Sequence, residues 1–370
     1  MNSKRRFIVI LCVTIAMFIA CVGVIMVGVR YLDKFVPKGE HLPNDTVIHY
    51  DEESNPIIFN PSEDENFNFL VMGYDRMAAL TDVTMLVNFN VTEGKISIMQ
   101  FPRDTYVSYG VPTSRINATY NSFYNEERAK GSDNPEYDSV RRIADMIEKA
   151  LCTKISYCAI MNLDGFCSIV DAIGGVEVNI PKDMYYPDKE QGLMINLKAG
   201  VHLLNGKTAE EFIRFRQGYV QADLGRQDAQ KIFMSAFLKK VTTSVNVGNI
   251  TELAEIILDN LYTNVSVSEF VYFAKALLKI DLSNVTMLSL PINATNGGQV
   301  VMVKSLTVDI MNEYFNVYDG KITPEIFDKD RIFVTDYDYS ILNGYNADTA
   351  VFGGKEYTAD NVNDDSIYIP

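Results

Sequence analysis

The chain has 370 residues, with 33 Lys plus Arg against 48 Asp plus Glu and a formal net charge of −15, so bulk attraction does not draw it to nucleic acid. At 47% hydrophobic and 22% charged it has ample material for a core, which excludes wholesale disorder. Three scattered histidines, His41, His49 and His202, leave little for a His-rich zinc site or a His-driven triad, and the five cysteines, Cys12, Cys21, Cys152, Cys158 and Cys167, form no CxxC pair and read as small buried hydrophobes.

Residues 7 to 29 contain no charge, and at about 1.5 Å per residue they can cross a hydrocarbon layer of ~30 Å. Lys4, Arg5 and Arg6 precede this run, whereas Arg30, Lys34 and Lys38 after it are offset by Asp33 and Glu40, so residues 1 to 6 are predicted to stay in the cytoplasm and the body to lie outside. The apolar run is too long for a cleaved signal peptide and reads as a signal-anchor. Residues 30 to 66 are polar and acidic, with Pro37, Pro43, Pro56 and Pro61, and are predicted to form a stalk. The packed domain is expected over residues 67 to 318.

Within it, residues 68 to 72 form a strand ending at Gly73, and residues 85 to 89 and 95 to 101 form a hairpin around Val91-Thr92-Glu93-Gly94. Val140, Ile143, Ala144, Ile147 and Leu151 keep helical spacing, residues 155 to 161 are strand, and a helix over 163 to 173 is stopped by Gly174-Gly175 before a strand at 176 to 180. Helices are predicted at 226 to 241, 252 to 261 and 268 to 278. The alternation indicates an α/β fold, an α/β/α layered arrangement with a central mixed sheet. Residues 319 to 370 hold 11 acids and 4 bases, a net of 4 − 11 = −7, and are expected to be a distinct acidic extension. Phe327, Phe333, Tyr337, Tyr339 and Phe352 suggest that part of it packs as extra strands.

In so acidic a chain, Arg76, Arg103, Arg115, Arg214, Arg216 and Arg226, placed in predicted loops and at element ends, suit a bound anion, because the guanidinium fork matches phosphate oxygens. Arg214 and Arg216 alternate with Ile213 and Phe215, so in an extended segment both would face one side. Thr208 and Glu211 read as a capping box for the short helix before them. Asp223 reads as a helix cap, with Arg226 and Gln230 four apart on one face. Arg103-Asp104 follows a strand through Pro102, at the end where open α/β sheets usually place ligands. Asp75 and Asp82 flank a short predicted loop, and two carboxylates beside substrate phosphates suit Mg²⁺. There is no P-loop and no G-x-G-x-x-G.

Taken in order, Gly73-Tyr74-Asp75-Arg76, Thr81-Asp82, Phe101-Pro102-Arg103-Asp104-Thr105-Tyr106, Arg115-Ile116-Asn117-Ala118, Asp171-Ala172-Ile173-Gly174-Gly175-Val176, Arg214-Phe215-Arg216 and Asp223-Leu224-Gly225-Arg226 with Gln230 resemble the LytR-CpsA-Psr family. The resemblance covers roughly residues 67 to 318 and includes the anchor ahead of them. It implies a phosphotransferase outside the cytoplasmic membrane of a Gram-positive-type envelope. Such an enzyme takes a glycopolymer from a polyprenyl-pyrophosphate carrier and joins it by a phosphodiester to peptidoglycan. Carried over by motif, Asp75 and Asp82 would hold Mg²⁺, and Arg76, Arg103, Arg115, Arg214, Arg216, Arg226 and Gln230 would grip the pyrophosphate. Asp104 would act as base or orient Arg103, which makes Arg103 and Asp104 the catalytic candidates.

Arg115 stands where the family often has lysine, Leu80 where it often has a basic residue, and Ala229 where an arginine is common. The lipid needs a dry pocket, for which Leu258, Leu261, Phe270, Phe273 and Leu277 are candidates that also suit core packing. Two rival readings remain at this stage: a polyprenyl-pyrophosphate-binding regulatory surface protein without transfer, and a lipid-pyrophosphate hydrolase.

Overall fold

The computed structural model describes residues 46–50, 56–75, 80–108, 115–188, 193–215, 222–244, 250–295, 298–336, 351–352 and 357–358. The anchor expected at 7 to 29 and the cytoplasmic tip before it lie outside these residues. Among the described residues no helix is long and apolar enough to cross a membrane.

In chain order the strands are β1 (Val47–Tyr50), β2 (Pro56–Phe59), β3 (Asn66–Asp75), β4 (Leu80–Asn90), β5 (Lys95–Gln100), β6 (Tyr157–Asn162), β7 (Val176–Ile180) and β8 (Met184–Asp188). They continue with β9 (Leu193–Leu197), β10 (Gly200–Leu204), β11 (Tyr262–Thr263), β12 (Val285–Ser289), β13 (Ile292–Ala294), β14 (Val300–Met302), β15 (Val351–Phe352) and β16 (Tyr357–Thr358). The helices are α1 (Ile116–Lys130), α2 (Pro135–Leu151), α3 (Leu163–Ala172), α4 (Gly206–Arg214), α5 (Ala222–Ser244), α6 (Ile250–Leu258), α7 (Val267–Leu277) and α8 (Lys304–Ile310).

A seven-stranded sheet in the order β11-β6-β3-β4-β5-β12-β16 organises the fold. β3 pairs parallel with β6 and β5 parallel with β12, while β4 runs antiparallel between β3 and β5. Four strands, β3, β5, β6 and β12, therefore end at one rim of the sheet. Side chains alternate across it, as the period of two requires. Leu70, Met72, Leu86 and Met99 pack with α1, α2 and α8 on one face, whereas Phe67, Phe69, Met85, Val87, Ile96 and Ile98 pack with α5 and α7 on the other. Helices on both faces of a mixed sheet match the predicted layering. A further core joins β7 to β10 with α4 and α5, through Val176, Val178, Ile195, Phe212, Ala229 and Phe233.

The hairpin around residues 91 to 94 forms as predicted, with Asn90 opposite Lys95 and Gly94 at φ 66°. α3 stops at Gly174-Gly175, at φ 79° and 80°, a conformation glycine adopts without strain. Burial pushes the thiols of Cys152, Cys158 and Cys167 up to about 12, which suits their reading as packed hydrophobes.

Both predicted ends of the packed domain need correction. The expected stalk contains the β1–β2 hairpin, and Phe59 at its end is fully buried. Its ring rests against Gly320, where any Cβ would collide with it, and Asn60 exchanges hydrogen bonds with Asp319, donating from its backbone N to Oδ1 at 2.8 Å. The residues after 318 are no separate extension either. Ile322, Ile326, Phe327, Ile332 and Phe333 belong to the same core as Leu70 and Met99, and Asp328 accepts from the Ile332 and Phe333 backbone N–H groups. β15 pairs with β13 and β16 with β12, so the segment does add strands, as the aromatics suggested. Tyr337 and Tyr339 lie outside the described residues.

The Phe333 ring stacks on Phe101 with centroids 6.1 Å apart, directly before Pro102-Arg103. Phe333→Ala is expected to cost about 3–5 kcal/mol of stability, a cavity-sized loss, read by urea unfolding of the full chain. A loss under about 1 kcal/mol would mean that this segment is not part of the core.

Candidate functional site

At the rim where β3, β5, β6 and β12 end, a cavity of about 200 Å³ opens between the sheet and helices α3 and α5. Its walls are mostly apolar: Val71, Val83, Met85 and Ile98 from the sheet, Phe166 and Ile169 from α3, Phe233, Met234 and Phe237 from α5. Asp75, Asp82, Gln100, Asn162, Arg214, Gln230 and Lys231 are among its chargeable and polar lining. An apolar hollow with a few polar groups at one edge is the usual form of a small-molecule site.

Backbone geometry sets the two aspartates. Asp75 is the last residue of β3, opposite Leu80. Gly73 pairs with Val83 and Tyr74 with Thr81, which leaves Asp82 as the extra residue of a bulge on β4. Bulges re-aim side chains next to sites, and this one brings Asp82 to the cavity. The sequence reading put Asp82 at the end of a loop; it lies within a strand instead.

Arg103 follows β5 through Phe101-Pro102, as predicted. The turn is held by Thr105, whose backbone N donates to the Pro102 carbonyl at 3.0 Å, and by the start of α1, where the Asn117 backbone N donates to the Arg103 carbonyl at 3.2 Å. Arg103 Nη1 donates to Asp82 Oδ1 at 3.1 Å, and its Nε lies 3.8 Å from Asp104 Oδ2. Arg115, the residue before α1, donates to Asp104 Oδ1 at 2.8 Å. Asp82, Arg103, Asp104 and Arg115 thus form one chain of alternating charge.

A second chain reaches the rim from α4. Arg214, its last residue, donates from Nη1 to Glu210 Oε1 at 2.7 Å, with Nη2 3.7 Å from Asp75 Oδ2. Gln230 accepts from Gln100 Nε2 at 2.5 Å, which ties α5 to the end of β5.

The structure therefore gathers Asp75, Asp82, Arg103, Asp104, Arg115, Arg214 and Gln230 at one end of the sheet. Arg76 and Arg216 lie outside the described residues, as does the proposed joint aim of Arg214 and Arg216. Arg226 sits on α5 one turn ahead of Gln230. The cap of α4 is Asn205, whose side chain accepts from Thr208 N, and not a Thr208/Glu211 box; Glu211 turns inward, where burial raises its carboxyl. α5 opens at Ala222, so Asp223 lies inside the helix rather than capping it.

Leu258, Leu261, Phe270, Phe273 and Leu277, named as lipid-pocket candidates that also suit core packing, do not line this cavity. Phe273 packs edge-on against Phe67 and Tyr157, Leu277 joins that cluster, and Phe270 sits between α6 and α7. Phe233, Met234 and Phe237 on α5, at i, i+1 and i+4, line the cavity instead. Lys231, also missed, is 8% exposed and bonds Asp228 at 3.2 Å.

The model of the LytR_cpsA_psr family matches residues 41–316 of the sequence. The chain belongs to the LytR-CpsA-Psr family. Among relatives, the polyisoprenyl-teichoic acid–peptidoglycan teichoic acid transferase TagV of Bacillus subtilis (strain 168) is 26% identical over 209 residues, 55% of this chain and 51% of that protein. The chain thus spans about half the length of that relative. Regulatory protein MsrR of Staphylococcus aureus (strain COL) is 28% identical over 260 residues, 69% of this chain and 68% of its own. A solved LytR-Csp2A-Psr enzyme from Actinomyces oris shares the fold, with a TM-score of 0.51 at 21% identity over 71% of this chain and 94% of that one. Of the two departures that lose a charge, Leu80 faces Asp75 across the hairpin, and Ala229 on α5 is buried in the core.

Proposed function

We propose that the chain is a membrane-anchored phosphotransferase. It takes a glycopolymer from a polyprenyl-pyrophosphate carrier, joins it to peptidoglycan through a phosphodiester and releases polyprenyl phosphate. The observation that carries this reading is the apolar cavity with Asp75, Asp82, Arg214 and Gln230 in its lining and Arg103 bonded to Asp82. The apolar wall suits the isoprene units next to the pyrophosphate, each buried methylene contributing about 0.8 kcal/mol, while the pyrophosphate would meet the arginines. The name of the Bacillus subtilis relative and the charge-free run at residues 7 to 29 support the same reading, with the amino end cytoplasmic and the domain outside.

Mg²⁺ fits the donor set. Among the described residues no three His, Cys, Asp or Glu side chains group to hold a metal unaided, and Mg²⁺ commonly uses only one or two carboxylates beside substrate phosphates and water. Asp75 and Asp82 would hold it, and when bound it neutralises charge building on the phosphates. Both carboxylates now face arginines, Asp75 with Arg214 and Asp82 with Arg103. With the two carboxylates holding the ion, Arg214 and Arg103 would be available to phosphate oxygens.

In the reaction an acceptor hydroxyl oxygen bonds to the phosphorus that carries the glycan, the bond from that phosphorus to polyprenyl phosphate breaks, and the hydroxyl proton passes to a rim carboxylate or to water. The transition state of phosphoryl transfer is loose, so positioning and charge neutralisation supply most of the catalysis, and neither needs a histidine. Arg103 is aimed by Asp82 and Asp104, and Asp104, already bonded to Arg115, serves as the orienting carboxylate.

Reconstituting the full chain in vesicles with Mg²⁺ and a pyrophosphate-linked oligosaccharide lipid tests this. Product is expected only when peptidoglycan fragments are added, and EDTA is expected to stop it. Cleavage without an acceptor would instead assign a hydrolase, and binding without turnover a regulatory binder.

A further inference from the structure

Tyr357 lies beyond the family-matched stretch, residues 41–316, yet its ring lies against Lys231, a residue of the cavity lining. β16 pairs antiparallel with β12 and sets Tyr357 opposite Met287, a residue of the cavity wall. The Tyr357 ring centroid is 5.0 Å from Lys231 Nζ. Lys231 lines the same cavity as Asp75, Asp82 and Gln230, follows Gln230 directly on α5 and is 8% exposed.

Burying an ammonium in a largely apolar wall is unfavourable unless partners hold its charge. Asp228 supplies one partner at 3.2 Å, and a tyrosine face within ~6 Å supplies a second. The lysine stem is flexible and its ammonium can swap one oxygen ligand for another without a fixed fork geometry. A phosphate oxygen can therefore replace the Asp228 carboxylate while the ring keeps its place.

We propose that Lys231 is a further cation for the donor's pyrophosphate and that Tyr357, brought in by the C-terminal strand, is its positioning residue. The inference rests on the functional reading above and deepens it. It makes the segment after 316 part of the substrate site as well as of the core, and it supplies a positive charge on α5 where Ala229 supplies none.

Titration calorimetry on the full chain in nanodiscs tests this with geranylgeranyl pyrophosphate and Mg²⁺ as the probe and geranylgeraniol as the neutral control. Lys231→Met is expected to weaken the pyrophosphate by about tenfold and Tyr357→Ala by roughly three- to tenfold, with Tyr357→Phe within about twofold of the native chain. Geranylgeraniol affinity is expected to stay unchanged in all three. The double variant is expected to bind within about twofold of Lys231→Met alone, because the two side chains act as one unit. In turnover, Tyr357→Ala is expected to raise the donor KM with kcat nearly unchanged. If the native chain binds the probe and Tyr357→Ala binds it equally well, or if the two losses simply add, this inference is overturned while the functional reading stands. A native chain that ignores the probe overturns both.

Discussion

Arg103→Ala is expected to lower glycopolymer transfer by about 100- to 1000-fold, the range seen when one donor to a developing negative charge is removed. Its guanidinium bonds Asp82 at 3.1 Å and approaches Asp104 at 3.8 Å, and its side chain is 21% exposed. The turn that carries it is held by backbone and Thr105 contacts that the substitution leaves in place. Stability is therefore expected to change by less than about 1 kcal/mol, as for other partly exposed ion pairs. Arg103→Lys separates charge from shape: it keeps the cation and loses the fork, so activity between that of the native chain and Arg103→Ala is expected. Full activity in Arg103→Ala, measured with acceptor and Mg²⁺ present, would remove this residue from the mechanism.

Met234→Trp is expected to weaken geranylgeranyl pyrophosphate by about tenfold or more, since placing a larger ring in a filled space commonly costs about 1–3 kcal/mol. Met234 lines the cavity from α5 and is not fully buried, so the added ring occupies the hollow rather than the close-packed core behind it. Inorganic pyrophosphate, which has no lipid, is expected to bind the variant and the native chain alike. The native sequence has no tryptophan, so the new indole also reports its surroundings, and blue-shifted emission that responds to the lipid is expected. Equal loss of both ligands would mean that the substitution damages the rim and not the lipid site.

Much of the central sheet was legible because its strands obey simple alternation. Leu70 and Met72 face one layer and Phe67 and Phe69 the other, and the turn at Gly94 and the stop at Gly174-Gly175 are local signals with local causes. The rim arginine was legible for the same reason: Pro102 ends β5 directly before Arg103. Asp82 was misplaced because a bulge depends on two strands at once, which no single segment reveals. Phe59 was misread for a different reason. It is an aromatic set among acids and prolines, and its distant partner Gly320 helps to explain its burial, whereas Phe333 was expected to pack and does so on Phe101.

Phe270, Phe273 and Leu277, candidates for a lipid pocket, pack in the core, the other role that their spacing allowed. Phe273 and Phe233 are both apolar helical residues, and sequence spacing cannot separate one that packs against Tyr157 from one that lines a hollow. The difference lies in which sheet positions they oppose. Residues 66 to 69 meet α7 along filled ground, while the sheet ends near Gly73 and Val83 leave α5 standing off.

A crystal structure of the domain with geranylgeranyl pyrophosphate and Mg²⁺ tests the central claim most directly. Prenyl density is expected between the sheet and α5, against Met85, Met234 and Phe237, with the phosphates at Arg103 and Arg214 and the ion between Asp75 and Asp82. Lipid seated elsewhere, or phosphates on another face with this rim still closed by its own ion pairs, would contradict the account.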